Sequence, residues 1–283
     1  MPWLQNTESG VLWERPTCCT SKLNSRTLTV LGVNVLAFKL WKKIEQSDSF
    51  RYAKLKCKQL IGKEPKFKLD TRLAIESYPG WVIVPELIKQ DDIVYAIGIC
   101  DDIGFELAII ARQKVQVFAF DPTPYSVEWI KKQTLPAEFN FNPWAVSDKD
   151  GTFYFYPRIK RDGKKSKVMY TFHQQVEARD DGISVEAWTI ESMAKKLGHE
   201  KIDLLKIDVE GAEYDVIDSI VASALRPKLL LIEFHHRFKG IGKDKTINAV
   251  KTLRAAGYLI VNISATGREI AFVHQKALID AHS

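Results

Sequence analysis

The chain has 283 residues, enough to bury a sizeable core in one or two domains. Its balance of 46% hydrophobic and 27% charged residues excludes a disordered or fibrous protein, and its formal charge of +6 permits an anionic partner without requiring one. Cys18, Cys19, Cys57 and Cys100 lack zinc-ligand spacing and disulfide-scaffold density, so the expected setting is a reducing, cytoplasmic one.

Residues 1–27 are polar and carry Pro2 and Pro16, which predicts a loop-like start. Leu28–Trp41 is apolar but too short to span a bilayer, and it contains Asn34 and Lys39. It also starts too far from Met1 for an ordinary cleaved leader. It reads as an amphipathic helix docked on the protein, with a membrane-surface helix as the lesser alternative. Helical patterning continues to Ile61 with a polar break around residues 46–49, and Lys54, Lys56, Lys58, Lys63, Lys66 and Lys68 make the region basic. Residues 1–88 are therefore expected to form an N-terminal helical extension. Tyr78-Pro79-Gly80 marks a turn before the short apolar run Trp81–Val84.

From residue 89 onward strands and helices alternate, which predicts a doubly wound, mostly parallel α/β sheet. Ile93–Ile97 is a strand, Ile103–Arg112 a helix and Val115–Phe120 the next strand. Thr123 reads as an N-cap with Pro124 at the first helical position. Phe141–Val146 reads as a third strand, Thr152–Tyr156 as an extension after the Asp150-Gly151 turn, and Ile183–Ala187 as a short strand. A helix starts at Thr189 and closes at Gly198. The apolar run at Leu204–Ile207 is a buried strand, then come a helix, the strand Lys228–Ile232 and a helix over Ile247–Ala256. Tyr258–Ile263 and Glu269–Val273 finish as an antiparallel pair.

The stretch Asp203-Leu-Leu-Lys206-Ile207-Asp208-Val-Glu210-Gly211-Ala-Glu213 organises this part. It passes from buried strand through a sharp turn into a helix. Ligands of open α/β sheets sit beyond the carboxyl ends of the strands, where Asp208 falls. Glu213, with Glu210, reads as helix capping. The first strand ends at Gly98-Ile99-Cys100-Asp101-Asp102-Ile103-Gly104-Phe105, and the second ends at Asp121-Pro122. A glycine turn after one strand and an acid after the next is a nucleoside-binding layout. Cys100 and Ile103 stand where a dinucleotide site wants glycine, and Asp101 and Asp102 oppose a pyrophosphate. A cationic, phosphate-free nucleoside such as S-adenosylmethionine suits those acids, although either one could simply cap the helix.

On these residues the sequence resembles the FkbM-type methyltransferases, over roughly residues 91–275. The segment Ile202–Glu213 is similar to the family signature. Phe118-Ala-Phe-Asp121-Pro-Thr-Pro124, Ala145-Val-Ser-Asp148 and Leu231-Ile-Glu233-Phe-His235 support it. Ala96 departs from the acid that the family often carries, and Cys100 from its small residue. The resemblance implies a class I fold, S-adenosylmethionine as donor, and O-methylation, often of a sugar or glycan hydroxyl. Donor-binding candidates are Gly98, Ile99, Cys100, Asp102, Phe105, Asp121, Pro122, Ala145, Val146 and Asp208.

Methylating an alcohol requires the hydroxyl to be held in line and its proton removed. His235, at the ligand edge and at a position the family retains, is the candidate base, with Asp208 beside it. Asp208 and Glu233 end neighbouring strands and form a candidate Mg²⁺ pair. The loop Arg158–Lys167 is basic, which is compatible with an anionic acceptor, a lid or a solvated loop. Thin aromatic interleaving disfavours nucleic acid. The rival readings are the same fold acting on RNA or protein, a non-catalytic binding module, and a nicotinamide oxidoreductase. Oligomeric state is not encoded in any pattern found.

Overall fold

A computed structural model describes residues 42–159, 163–171 and 181–282. The expectations for residues 1–27 and Leu28–Trp41 lie outside the described residues, as do Lys160 and Arg161 of the basic loop.

The polar break at residues 46–49 separates a helical turn at residues 42–46 from helix α1 (Asp48–Leu60). Ser47 caps α1 by accepting a hydrogen bond from the Phe50 amide at 3.3 Å. Beyond α1 the chain is not helical. It runs as an extended strap whose Asp70 amide donates to the Ile260 carbonyl at 2.9 Å, while the Asp70 carboxylate accepts from the Ile260 amide. A hairpin of β1 (Glu76–Tyr78) and β2 (Trp81–Ile83) follows, turning on Pro79-Gly80. Tyr78, Trp81, Ile83, Val84 and Leu87 are buried in the core of the α/β body, where that core offers them apolar surface to cover.

The main sheet contains β3 (Ile93–Ile97), β4 (Gln116–Phe120), β5 (Phe139–Asn142), β10 (Leu204–Ile207), β11 (Leu229–Glu233), β12 (Tyr258–Ile263) and β13 (Glu269–His274). Their order is β12-β13-β11-β10-β3-β4-β5. The strands from β11 to β5 pair in parallel, while β13 is antiparallel to both neighbours. Helix α2 (Gly104–Gln113) follows β3, and α3 (Pro124–Ile130) follows β4. Between β5 and β10 the chain adds a second, four-stranded sheet. It consists of β6 (Ala145–Val146), β7 (Gly151–Ile159), β8 (Lys165–Thr171) and β9 (Ile183–Trp188), in the order β6-β9-β7-β8. The single strand expected over Phe141–Val146 is thus two pieces in two sheets. Helix α4 (Ile190–Leu197) returns to the main sheet, α5 (Glu213–Ala222) follows β10, α6 (Lys243–Ala255) follows β11, and α7 (Gln275–His282) ends the described chain.

Helices on both faces explain the apolar strands. Val94, Ala96, Val117, Ala119, Leu204 and Leu231 face one layer; Tyr95, Ile97, Phe120, Leu205, Ile207 and Ile232 face the other. Burying each large aliphatic side chain contributes about 1.5–3 kcal/mol. Alternation also aims Lys206 into the first layer, where Glu106 of α2 meets its ammonium at 3.0 Å. Burial works against charge on Lys206, but Glu106 and then Asp208 outweigh it and raise its pKa.

The strand order runs one way from β3 to β5 and the other way from β10 to β11. The switch point therefore lies between the carboxyl ends of β3 and β10, which are Gly98 and Asp208.

Candidate active site

Gly98 has φ +79°, and a Cβ placed there would lie 1.8 Å from the Asp208 carbonyl oxygen. Only glycine tolerates both conditions. The Gly98 amide donates to the Phe120 carbonyl at 2.9 Å and the Asp208 amide to the Ile97 carbonyl at 3.0 Å, which stitches three strand ends together. The Lys206 ammonium reaches the Gly98 carbonyl from below at 3.4 Å.

Asp121 is buried and braces the turn. One carboxylate oxygen accepts from the Cys100 amide at 3.0 Å, and the other accepts from the Thr123 amide at 2.9 Å and the Thr123 hydroxyl at 2.6 Å. Cys100 is left-handed at φ +48°, which Asp121 helps to hold. Ile99 is buried and Pro122 half-buried beside this turn. Ala145 and Val146 are buried just past β5, and Val146 lines a cleft of about 450 Å³. Ser147 just after β6, Phe153 and Tyr156 of β7, and Ala212 and Asp215 at the start of α5 also line that cleft. Two candidates stand apart. Asp102 is exposed and accepts from the Gly104 amide at 2.9 Å, as a helix-end residue does. Phe105 points into the core, edge-on to Tyr78 with ring centroids 6.0 Å apart.

On the other side of the switch point the structure gathers Asp208, Glu233 and His235. One ligand atom from each lies within 4.8 Å of the others. His235 Nε2 is 3.7 Å from Asp208 Oδ1 and 4.0 Å from Glu233. Burial raises the pKa of Asp208, and the carboxylates of Glu210 and Glu269 add to that, against His235 and Lys206. Burial, with Asp208 and Glu269, pushes Glu233 up to about 7 although Arg268 is paired with it. For His235, burial opposes protonation, but the hydrogen bond and charge of Glu213, with Asp208 and Glu210, raise it to about 9.

Several residues here escaped sequence reasoning. Glu213 does not simply cap α5. Its carboxylate accepts from the His235 amide at 2.7 Å and from the Gly211 amide at 2.9 Å, and lies 3.3 Å from His235 Nδ1. It fixes which ring nitrogen of His235 faces the cluster. Glu210, strained at φ +47°, pairs with Arg158 at 2.9 Å. The Arg158 guanidinium also lies 3.5 Å from the Phe238 ring centroid. Arg158 of the basic loop is thus engaged with a carboxylate, as is Lys165, 2.7 Å from Asp181. Glu64 comes from the strap. It accepts from Arg237 Nε at 2.7 Å and meets His236 Nε2 at 2.6 Å. Only the position of Glu213 after the glycine turn was a signal in the sequence. The other pairs join segments far apart in the chain.

A doubly wound sheet with a glycine turn, a braced acid on the next strand and a carboxylate–histidine cluster at the switch point defines a nucleoside-using α/β enzyme of the class I methyltransferase type. The family model described as methyltransferase FkbM domain matches residues 82–260. The chain belongs to this family, and it is an S-adenosylmethionine-dependent methyltransferase. It is similar to the 2-O-methyltransferase NoeI of Sinorhizobium fredii (strain NBRC 101917 / NGR234), at 28% identity over 162 residues, covering 54% of this chain and 67% of that protein. Among solved structures, it is similar to the methyltransferase FkbM from Methylobacillus flagellatus KT, with a TM-score of 0.41 and 12% identity. That likeness covers 65% of this chain and 44% of the other, less than half of its length. The fibrillarin pre-rRNA processing protein of Methanococcus jannaschii also has a TM-score of 0.41, at 12% identity and 71% coverage of both chains. Among the described residues no helix is long and apolar enough to cross a membrane.

Proposed function

We propose that the enzyme transfers a methyl group to a hydroxyl of a saccharide acceptor, at the edge formed by Asp208, Glu233 and His235. The observation that carries this reading is that cluster, set directly across the switch point from the Gly98 turn. The NoeI relative is a 2-O-methyltransferase, which supports the choice of oxygen as the methylated atom.

The donor S-adenosylmethionine supplies an electrophilic methyl group. The residues fit such a nucleoside: Gly98 leaves its backbone bare, and Asp121 presents a buried carboxylate at the end of β4. Cys100 and the Ala145-Val146 pair border the same edge. On the acceptor side Glu213 anchors His235 through its backbone and ring, leaving Nε2 directed at Asp208. With its pKa raised to about 9, His235 is mostly protonated at neutral pH, so the leaving hydroxyl proton passes to the Asp208 carboxylate, and His235 takes it only as its neutral fraction grows toward pH 9. An acceptor enters by way of the cleft between the second sheet and α5, whose Tyr156, Ser147 and Asp215 offer the mixed aromatic and polar lining that sugars require.

The cluster also fits a divalent cation. Asp208, Glu233 and His235 would hold it, and the carboxyls there are raised by burial first and by neighbouring carboxylates second, both of which a bound cation would offset. A bound Mg²⁺ would lower the pKa of a hydroxyl beside it. Arg268 already answers part of that charge at Glu233.

The test is methyl transfer from isotopically labelled donor to a panel of neutral and acidic saccharides, with chelator and with added Mg²⁺. The expected product is an alkali-stable methyl ether on a sugar. Label that appears only in RNA or protein, or as an alkali-labile ester, would overturn the reading.

A further inference from the structure

Residues 42–72 contain ten lysines and arginines against four acids, a surplus of six that equals the formal charge of the entire chain. Nine large hydrophobic side chains are exposed among the described residues, and six of them lie nearby: Ile44, Tyr52, Leu60, Ile61, Leu69 and Ile75. Charge and exposed apolar surface are thus concentrated in one part of the molecule.

They also share one helix. α1 buries Leu55 alone. At 100° per residue, Ala53, Cys57 and Leu60 lie on the side opposite Leu55, and Ile61 follows at the helix end. Leu60 is 79% exposed and Ile61 67%. Lys54 and Lys56 flank this line on either side, both exposed. A face built only for water has no use for leucine and isoleucine along its centre. An apolar line flanked by lysines is the arrangement of a helix lying in a headgroup layer. Its apolar side chains enter the acyl boundary, and the lysine stems reach back to the phosphates.

We propose that α1 and the basic strap to residue 72 form a docking surface for an anionic phospholipid bilayer. The surplus of cations is complementary to that surface, and the exposed apolar residues supply the insertion that charge alone does not. The docking face is tied to the candidate active site. Leu55 packs against Gly267, next to Arg268. Lys58 reaches Glu64 at 3.2 Å, and Glu64 binds His236 and Arg237, the residues after His235. Docking therefore orients the acceptor edge relative to the bilayer. The proposal does not depend on which acceptor is methylated.

Co-sedimentation of the full chain with vesicles tests it, using phosphatidylcholine with and without phosphatidylserine. The expected result is binding to the phosphatidylserine vesicles that weakens with added salt. The double variants Lys54→Glu/Lys56→Glu and Leu60→Gln/Ile61→Gln should each lower partitioning at least about tenfold. Both should melt and bind S-adenosylhomocysteine as the unmodified protein does. Absent binding, equal binding to both vesicle types, or variants that partition like the parent would each overturn the proposal. A lowered melting temperature without any change in partitioning would also overturn it, and would assign this face to a contact within the chain.

Discussion

The two sides of the switch point are built differently. The side proposed for the donor is made of backbone: Gly98 pressed against the Asp208 carbonyl, with Asp121 bracing the turn through the Cys100 amide. The side proposed for the acceptor is made of charge: Glu233, Glu213 and His235 are buried, Asp208 sits half-buried at their rim, and they displace one another's pKa values. A backbone site fails when its geometry is broken. A charge site fails when one partner is neutralised, even with its shape preserved. Substitutions on the two sides should therefore separate donor binding from chemistry.

The largest effect is expected at Gly98. Gly98→Ala combines a left-handed φ with a Cβ 1.8 Å from a carbonyl oxygen that is itself held in the sheet. No side-chain movement relieves that overlap. A stability loss of about 4 kcal/mol or more is expected, together with loss of S-adenosylhomocysteine binding by calorimetry. Native-like binding by this variant would mean that the Gly98 turn is not the donor cradle. On the acceptor side, Asp208→Asn keeps size and shape but removes a carboxylate facing His235 Nε2. Methyl transfer should fall by about 10²–10⁴-fold while the affinity for S-adenosylhomocysteine stays nearly unchanged. If both fall together, the two sides are one site and the contrast is lost.

How much of this was legible follows the same divide. The Gly98 turn, Asp121 and the Asp208 stretch are each local, and a strand–turn–helix pattern places them at the carboxyl edge without further information. The doubly wound class and the antiparallel β12–β13 pair follow from the alternating elements, whereas the strand order does not. Other features depend on contacts between distant segments. Glu213 reads as a helix cap because any acid in a first turn does; its bond to the His235 amide, 22 residues away, has no local signature. Phe141–Val146 reads as one strand because its composition does not reveal that β6 leaves β5 to pair with β9. The strap after α1 opens with Gly62 and Pro65, which end the helix but do not say where the chain goes next. Asp70 holds it extended along β12. Phe105 and Asp102 were drawn into the donor site by proximity in sequence, whereas the helix rotates Phe105 into the core.

Glu64 shows how far the acceptor side reaches beyond the residues that match the family model, 82–260. Burial alone would raise its carboxyl, but Arg237 and His236 outweigh burial and hold it at about 2, against an ordinary value of 4.5. Arg237 supplies the charge, since burial lowers the pKa of His236. A depressed carboxyl stabilises the fold above its unfolded pKa, and that contribution fades as pH falls from 4.5 toward 2. It amounts to about 3 kcal/mol. Denaturant melts should therefore show Glu64→Gln weaker by about that amount at neutral pH, with the gap to the parent closing below pH 4.5. A gap that persists unchanged into acid would mean that Glu64 acts through packing rather than charge.

The smallest effect is expected at Asp102, and it sharpens the contrast because this acid is the donor-side candidate least built into the site. It is exposed and accepts from the Gly104 amide at the start of α2. Removing such a bond from a helix end costs about 1 kcal/mol. Asp102→Ala should lower stability by that amount and leave S-adenosylhomocysteine affinity within about twofold, which is well under 1.4 kcal/mol. A tenfold loss of affinity with unchanged stability would reverse the assignment. Asp102 would then serve the donor directly, and the donor side would need a carboxylate of its own beyond Asp121.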